Sequence, residues 1–218
     1  GHLGQAVAAV FRERGARLLL LDRDAQALSR RYGTGDDDLL LPVDLLDIEA
    51  LRAAVQAGVD RLGRLGAVCH IAGGFRMGEA VHETTDATWD FLMDLNARSL
   101  VNVARAAVPH LLAPGGRIVT VGAGAALQGG ARMGAYSASK SAVIRLTEAM
   151  SAELKPSGIN VNCVLPSIID TPDNRAAMPD QDPGRWVSPR ALAEVIAFLA
   201  SDAARAIHGA AVPVSGLV

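Results

Sequence analysis

The 218-residue chain is short of several things, and each shortage excludes a class of protein. It holds two cysteines, Cys69 and Cys163, both inside apolar runs, which reads as two buried free thiols rather than a disulfide or a metal pair. Its five histidines, at 2, 70, 82, 110 and 208, show no ligand spacing, so no metal is expected. Neither sign of charge dominates: 21 Lys and Arg face 23 Asp and Glu, which leaves no electrostatic footprint for nucleic acid or an anionic membrane. No apolar run reaches membrane-spanning length and nothing resembles a secretory leader, so a cytoplasmic protein is expected. Aromatics make up only 4 % of a chain that is half hydrophobic, which suits closely packed helices laid on a sheet.

Lysine and tyrosine are scarce too, with two of each, and one of each stands four residues apart as Tyr136 and Lys140. Arg117–Val121 reads as a buried strand, and the run from Gly134 (GAYSASKSAVIRLTEAMSAEL) reads as a helix. Four residues is just over one helical turn, so phenol and ammonium share one face. A free tyrosine titrates near ~10, too high for proton transfer at neutral pH. A neighbouring cation favours the phenolate, which makes the pair a general acid/base; the plainer alternative is a helix-surface tyrosine beside a solvated lysine.

The chain opens with Gly1-His2-Leu3-Gly4, and a helical pattern then runs to Gly15. Glycines before a helix let its first amides approach a pyrophosphate. Such a turn normally follows a central strand, and none precedes this one, so the natural polypeptide is expected to supply a strand before Gly1. Without that strand the sheet would keep two open edges. Ala16–Leu21 is a short buried strand that runs into Asp22-Arg23, about 18 residues after Gly4. That is where a dinucleotide fold places its ribose-binding acid; the alternative is an aspartate capping the helix over 24–31. A surface turn is expected over 33–38, a strand from Leu39 ending at Asp44, and a helix over Ile48–Leu62.

Gly66–Ala72 is the next strand, and it leads into Gly73-Gly74. One long helix is expected over Thr85–Leu112, broken only near Pro109 and carrying Asn96. Ile159–Leu165 is a strand closed by Pro166, and Ala210–Val214 a final edge strand. Between them, Ser188-Pro189 starts a helix by cap chemistry that runs to Ala200. The segment 171–187 is long enough to be a lid, with Met178 and Trp186 available to cover a ring; a static loop with Trp186 packed in the core is the alternative. Alternating strands and helices imply one α/β domain over residues 1–218, a doubly wound parallel sheet of Rossmann type.

Taken in order, the GHLG turn, Asp22, Asp44, Ala72-Gly73-Gly74, Asn96, Tyr136/Lys140 and Pro166 with Thr171 resemble the short-chain dehydrogenase/reductase family over essentially the whole chain. The resemblance implies that Tyr136 exchanges the proton, that Lys140 binds the nicotinamide ribose and lowers the tyrosine's pKa, and that Asn96 supports a water relay to the lysine. It places the cofactor against Gly1, His2, Leu3 and Gly4 at the pyrophosphate, Asp22 and Arg23 at the adenosine ribose, and Asp44 and Leu45 at the adenine. Ala72, Gly73 and Gly74 would line it, and Pro166, Ile168 and Thr171 would meet its carboxamide end. It also implies a homodimer or homotetramer acting on a small-molecule substrate, with NAD as cofactor.

Three positions depart from the family pattern. His2 replaces the middle glycine, Ile71 replaces the asparagine before Ala72-Gly73, and Ala123 stands where the catalytic serine is expected. With Val121–Leu127, Met133–Tyr136, Cys69…Ala72–Phe75 and Val164…Asn174-Arg175, the alanine is similar to the dihydropteridine reductase branch, which relies on the Tyr/Lys pair. This chain keeps Asn96, which that branch does not. The expectation is hydride transfer to an activated substrate such as a quinonoid dihydropterin. The alternatives are another carbonyl or quinone-like compound, or a catalytically silent dinucleotide-binding protein.

NADH is expected to bind better than NADPH. An Asp22 carboxylate against a 2′-phosphate is a like-charge contact of about 4 kcal/mol at ~4 Å for an effective dielectric near 20. Arg23 offsets part of that by turning toward the phosphate. A fluorescence titration that gives equal affinities would remove Asp22 from the ribose site.

Overall fold

Apolar runs of four to eight residues, separated by amphipathic helices, produce the parallel layers expected of such a pattern. The computed structural model describes residues 1–33 and 37–218; part of the turn expected over 33–38 lies outside the described residues. Helix α1 (His2–Glu13) leads to β1 (Leu19–Asp22), α2 (Ala25–Tyr32), β2 (Leu39–Pro42), α3 (Ile48–Leu62) and β3 (Ala67–His70). Next come α4 (Asp86–Met93), a π-helical turn (Asp94–Arg98), α5 (Ser99–Ala107), β4 (Gly116–Val121) and α6 (Gly134–Leu154). The chain closes with β5 (Ile159–Pro166), the short α7 (Pro172–Ala177), α8 (Pro189–Leu199) and β6 (Ala211–Val214). No helix is long and apolar enough to cross a membrane among the described residues.

All paired strands are parallel, in two sheets: β1 with β2, and β3-β4-β5-β6 in that order. The inner strands β1 and β3 do not pair with each other, and a cavity of about 1180 Å³ opens beside them, lined by residues that include Leu19, Leu21, Val68, Cys69, Val7 and Phe11. β5 is buried along its whole length, as a central strand covered on both faces must be. It nonetheless carries two asparagines. Asn160 and Asn162 each donate to the Ile207 carbonyl at 2.9 Å, and Asn162 also accepts from the Ala210 amide, so both polar side chains are satisfied while they hold the approach to β6.

Helix starts follow cap chemistry. Asp24, Asp47, Thr85 and Ser188 each accept a backbone N–H from their own first turn. The long helix expected over Thr85–Leu112 is not continuous, because a π-helical turn interrupts it at Asp94–Arg98 well before Pro109. The extra residue in that turn rotates Asn96 into a fully buried position.

The largest apolar cluster joins α1, β4, β5 and α8, with Leu3, Val7 and Val10 packed with Leu192, Ala193 and Ile196. Leu192 is 0 % exposed. Leu192→Ala removes most of a fully buried side chain and is expected to lower the unfolding free energy by about 2–5 kcal/mol, read from urea denaturation at unchanged m-value.

Candidate active site

In an open parallel sheet, ligands bind outside the carboxyl ends of the strands. Those ends carry Asp22 on β1, Asp44 just past β2, Ala72 just past β3, Ala123 past β4 and Pro166 on β5. The candidate residues therefore gather by topology, not by sequence proximity.

Helix α6 supplies Tyr136 and Lys140 one turn apart. Lys140 is 5 % exposed, and its ammonium donates to the Val121 carbonyl at 2.9 Å. A Cβ on Gly73 would lie 2.9 Å from that nitrogen and 3.0 Å from Asn96 Oδ1, so only a residue without a side chain leaves the ammonium in place. Asn96 is clasped on three sides. Its Oδ1 accepts from the Gly74 amide at 2.8 Å, and its Nδ2 donates to the Gly74 carbonyl and to Ser139 Oγ. Ser139 in turn donates to the Tyr136 carbonyl at 2.8 Å. Asn96 thus ties the glycine turn after β3 to the helix that carries the tyrosine.

Burial governs the titrations. It lowers Lys140 to about 8 and raises Tyr136 to about 12. The expectation that Lys140 lowers the tyrosine is not met in this arrangement: the ammonium bonds to Val121, and desolvation of the phenol prevails. His70 is held down at about 3, by its burial first and then by the Lys140 charge. Ser99 uses its hydrogen on the Leu95 carbonyl, so the His70 Nε2 that lies 2.9 Å from Ser99 Oγ must be the donor.

At position 123 the backbone is extended and the methyl is buried. Thr120, the nearest hydroxyl within the strand, is 0 % exposed and bonded to Thr147 at 2.7 Å, so it offers no donor to the site. The Phe75 ring meets Tyr136 edge to face, with centroids 4.8 Å apart.

The cofactor candidates are placed as follows. Gly1 caps α1 without a side-chain bond, His2 and Gly4 lie in its first turn, and Leu3 points into the core. A Cβ at Gly4 would strike the Tyr32 hydroxyl at 2.6 Å. Asp22 accepts from the Asp24 amide and lies 3.8 Å from Arg31, while Asp24 does the capping of α2; Arg23 is exposed. Asp44 accepts from Leu46, and Leu45 is held through its carbonyl by Asn102. Ile168 pairs by its carbonyl with Val187, and Thr171 caps α7. Trp186 is 6 % exposed, which places it in the core and leaves Met178 as the half-exposed apolar residue of the expected lid. Sequence reasoning missed His70, Ser139 and Phe75. Ser139 was legible, since a serine three residues along a helix commonly bonds back to the carbonyl; the Phe75 contact left no local signal. No group of three or more His, Cys, Asp or Glu able to hold a metal occurs among the described residues.

Residues 2–216 match a family model described as enoyl-(acyl carrier protein) reductase. The chain is 31 % identical over 252 residues to (-)-trans-carveol dehydrogenase of Rhodococcus erythropolis, covering 97 % of this chain and 91 % of that one. It is 32 % identical over 202 residues to 2-dehydro-3-deoxy-D-gluconate 5-dehydrogenase of Escherichia coli, covering 87 % and 77 %. A crystal structure of carveol dehydrogenase from Mycobacterium avium in complex with NAD superposes with a TM-score of 0.85 at 28 % identity, covering 98 % and 92 %.

Gly73→Ala tests the close approach at the lysine. The methyl is expected to push the ammonium off Val121, lowering the thermal midpoint while the protein still folds, and to lower dinucleotide-dependent turnover by about 10²-fold. Unchanged turnover would show that the glycine is not needed for the lysine's position.

Proposed function

The chain belongs to the short-chain dehydrogenase/reductase family, and on that premise we propose that this oxidoreductase passes hydride between NAD(H) and an activated carbonyl or quinone-like compound, with Tyr136 exchanging the proton. The observation that carries the reading is that Lys140 and Asn96 meet at the Gly73-Gly74 turn, with Tyr136 one turn before the lysine on α6 and no hydroxyl at Ala123.

The residues suit a nicotinamide dinucleotide. The uncapped first turn of α1, the bare Gly73 above Lys140 and an acid at the end of β1 match the demands of pyrophosphate, nicotinamide ribose and adenosine ribose in turn. Asp44 and Leu45 would serve the adenine, Ala72 and Gly74 would line the cofactor, and Pro166, Ile168 and Thr171 would meet its carboxamide end. Asp22 favours NADH over NADPH. Bound there, the cofactor supplies hydride in reduction and accepts it in oxidation. In reduction, the Tyr136 phenol gives its proton to the substrate oxygen as hydride reaches the carbon, leaving a tyrosinate beside the Lys140 ammonium. That phenolate regains a proton from solvent through the lysine side, where Asn96 holds the turn. Segment 171–187 closes over the substrate with α7 and Met178 as its moving part, since Trp186 is anchored. Exposed Trp89 and Val101 on α4 and α5 suit a homodimer or homotetramer.

The missing donor at 123 sets the substrate class. Losing one preorganised donor to a developing oxyanion typically costs about 2.7–4 kcal/mol, roughly 10²–10³ in rate. An isolated ketone suffers that loss, whereas an electron-poor or quinonoid ring has less charge to localise on one oxygen. A quinonoid dihydropterin is the second reading, and Ala123 favours it because a ring already activated needs only hydride and one proton.

Tyr136→Phe is expected to lower turnover by roughly 10²–10⁴, the range for loss of a general acid. Ala123→Ser is expected to raise weak activity on a simple ketone and to change activity on a quinone or quinonoid dihydropterin little. Steady-state kinetics of both variants on both substrates decide it. A wild-type enzyme that reduces simple ketones efficiently and ignores quinonoid substrates would refute the proposal.

A further inference from the structure

We propose that Arg76 and Arg132 form a carboxylate-binding subsite beside Tyr136, so that the substrate carries an acid group away from its reacting carbon. This inference rests on the reading above that Tyr136 faces the reacting carbonyl.

The loop after Gly74 first lays Phe75 against the Tyr136 ring and then presents Arg76. The Arg76 guanidinium stacks 3.9 Å over the centre of the Phe91 ring, which holds it in place without a carboxylate. On the other side stands Arg132. It is the only non-glycine residue with a left-handed backbone among the described residues, at φ 60°. Two reciprocal bonds fasten it to the same loop: the Gly78 amide donates to the Arg132 carbonyl at 2.9 Å, and the Arg132 side chain donates to the Gly78 carbonyl at 2.8 Å. A long side chain held in a conformation it rarely adopts is a reason to look for a role.

Both arginines line one cavity of about 160 Å³, together with Met133, Gly134 and Ala135; Tyr136 does not line it, but it follows Ala135 on the same helix and meets the Arg76 loop through Phe75. With a water occupying roughly 30 Å³, that volume admits a carboxylate and its first carbons but no nucleotide. Neither guanidinium forms an ion pair among the described residues. Glu79 also lines the cavity, but its two oxygens already accept from the Thr85 amide and the Thr88 hydroxyl, both at 3.1 Å. Two arginines against one engaged glutamate leave the cavity with a net positive lining. The planar guanidinium fork matches the paired oxygens of a carboxylate.

The test is a 19F NMR titration with 4-fluorobenzoate and its neutral isostere 4-fluorobenzamide. The acid is expected to bind at least about tenfold more tightly than the amide, the margin of one charge-assisted hydrogen bond. Arg132→Gly, which the left-handed backbone accepts without strain, and Arg76→Gln should each erase most of that margin and leave the amide unaffected. Equal binding of acid and amide, or a margin that survives both substitutions, would overturn the subsite. Tyr136→Phe should leave the titration unchanged, so a failed hydride reading and a failed subsite give different results.

Discussion

Lys140 brings an ammonium into the interior at 5 % exposure, and much of the surrounding structure serves to keep it there. An uncompensated buried charge costs several kcal/mol, so the lysine needs oxygen partners and room. The Val121 carbonyl supplies one partner at the end of β4. Gly73 supplies the room, and Asn96 fixes Gly73 by bonding both backbone groups of its neighbour Gly74. The π-helical turn that carries Asn96 is part of the same arrangement, because a regular helix would present a different face at that residue. Strand β4, the glycine turn, the helix bulge and helix α6 are thus coupled through one cation.

The same burial shapes the proton chemistry. A phenol raised to about 12 is a reluctant acid, and a lysine lowered to about 8 is close to losing its charge near neutrality. The proposed proton transfer then depends on bringing polar groups and charge next to the pair. No hydroxyl stands at Ala123 and Thr120 is committed to Thr147, so under the proposed reaction the substrate brings its own activation.

Much of the fold was legible in the sequence because hydrophobic period and cap residues are local. Ile48–Leu62 matches its expected helix end to end, and β5 begins at Ile159 as expected and extends one residue further to Pro166. Tyr136 and Lys140 were legible because scarce residue types at helical spacing leave a signal. What the sequence hid depends on tertiary contacts. The π-helical turn at Asn96 has no breaker residue, whereas Pro109, which looks like one, only tightens the end of α5. Trp186 sits in a polar, proline-containing stretch yet is buried, because Val187 bridges to Ile169 and pulls it inward. The direction of the Tyr136 shift was misjudged for the same reason: spacing shows that a cation is near, but not that its hydrogen bond goes elsewhere.

The central claim is that Lys140 is a buried, weakened base positioned by Val121 and Gly73. The chain has only two lysines, Lys140 and Lys155, so heteronuclear NMR of protein labelled at lysine Nζ resolves the question with two signals. The signal that disappears in Lys140→Met belongs to the buried group. The account predicts that it titrates at about 8. A midpoint near the ordinary lysine value of ~10.4 would contradict it, showing an ammonium in contact with water rather than one held in the interior.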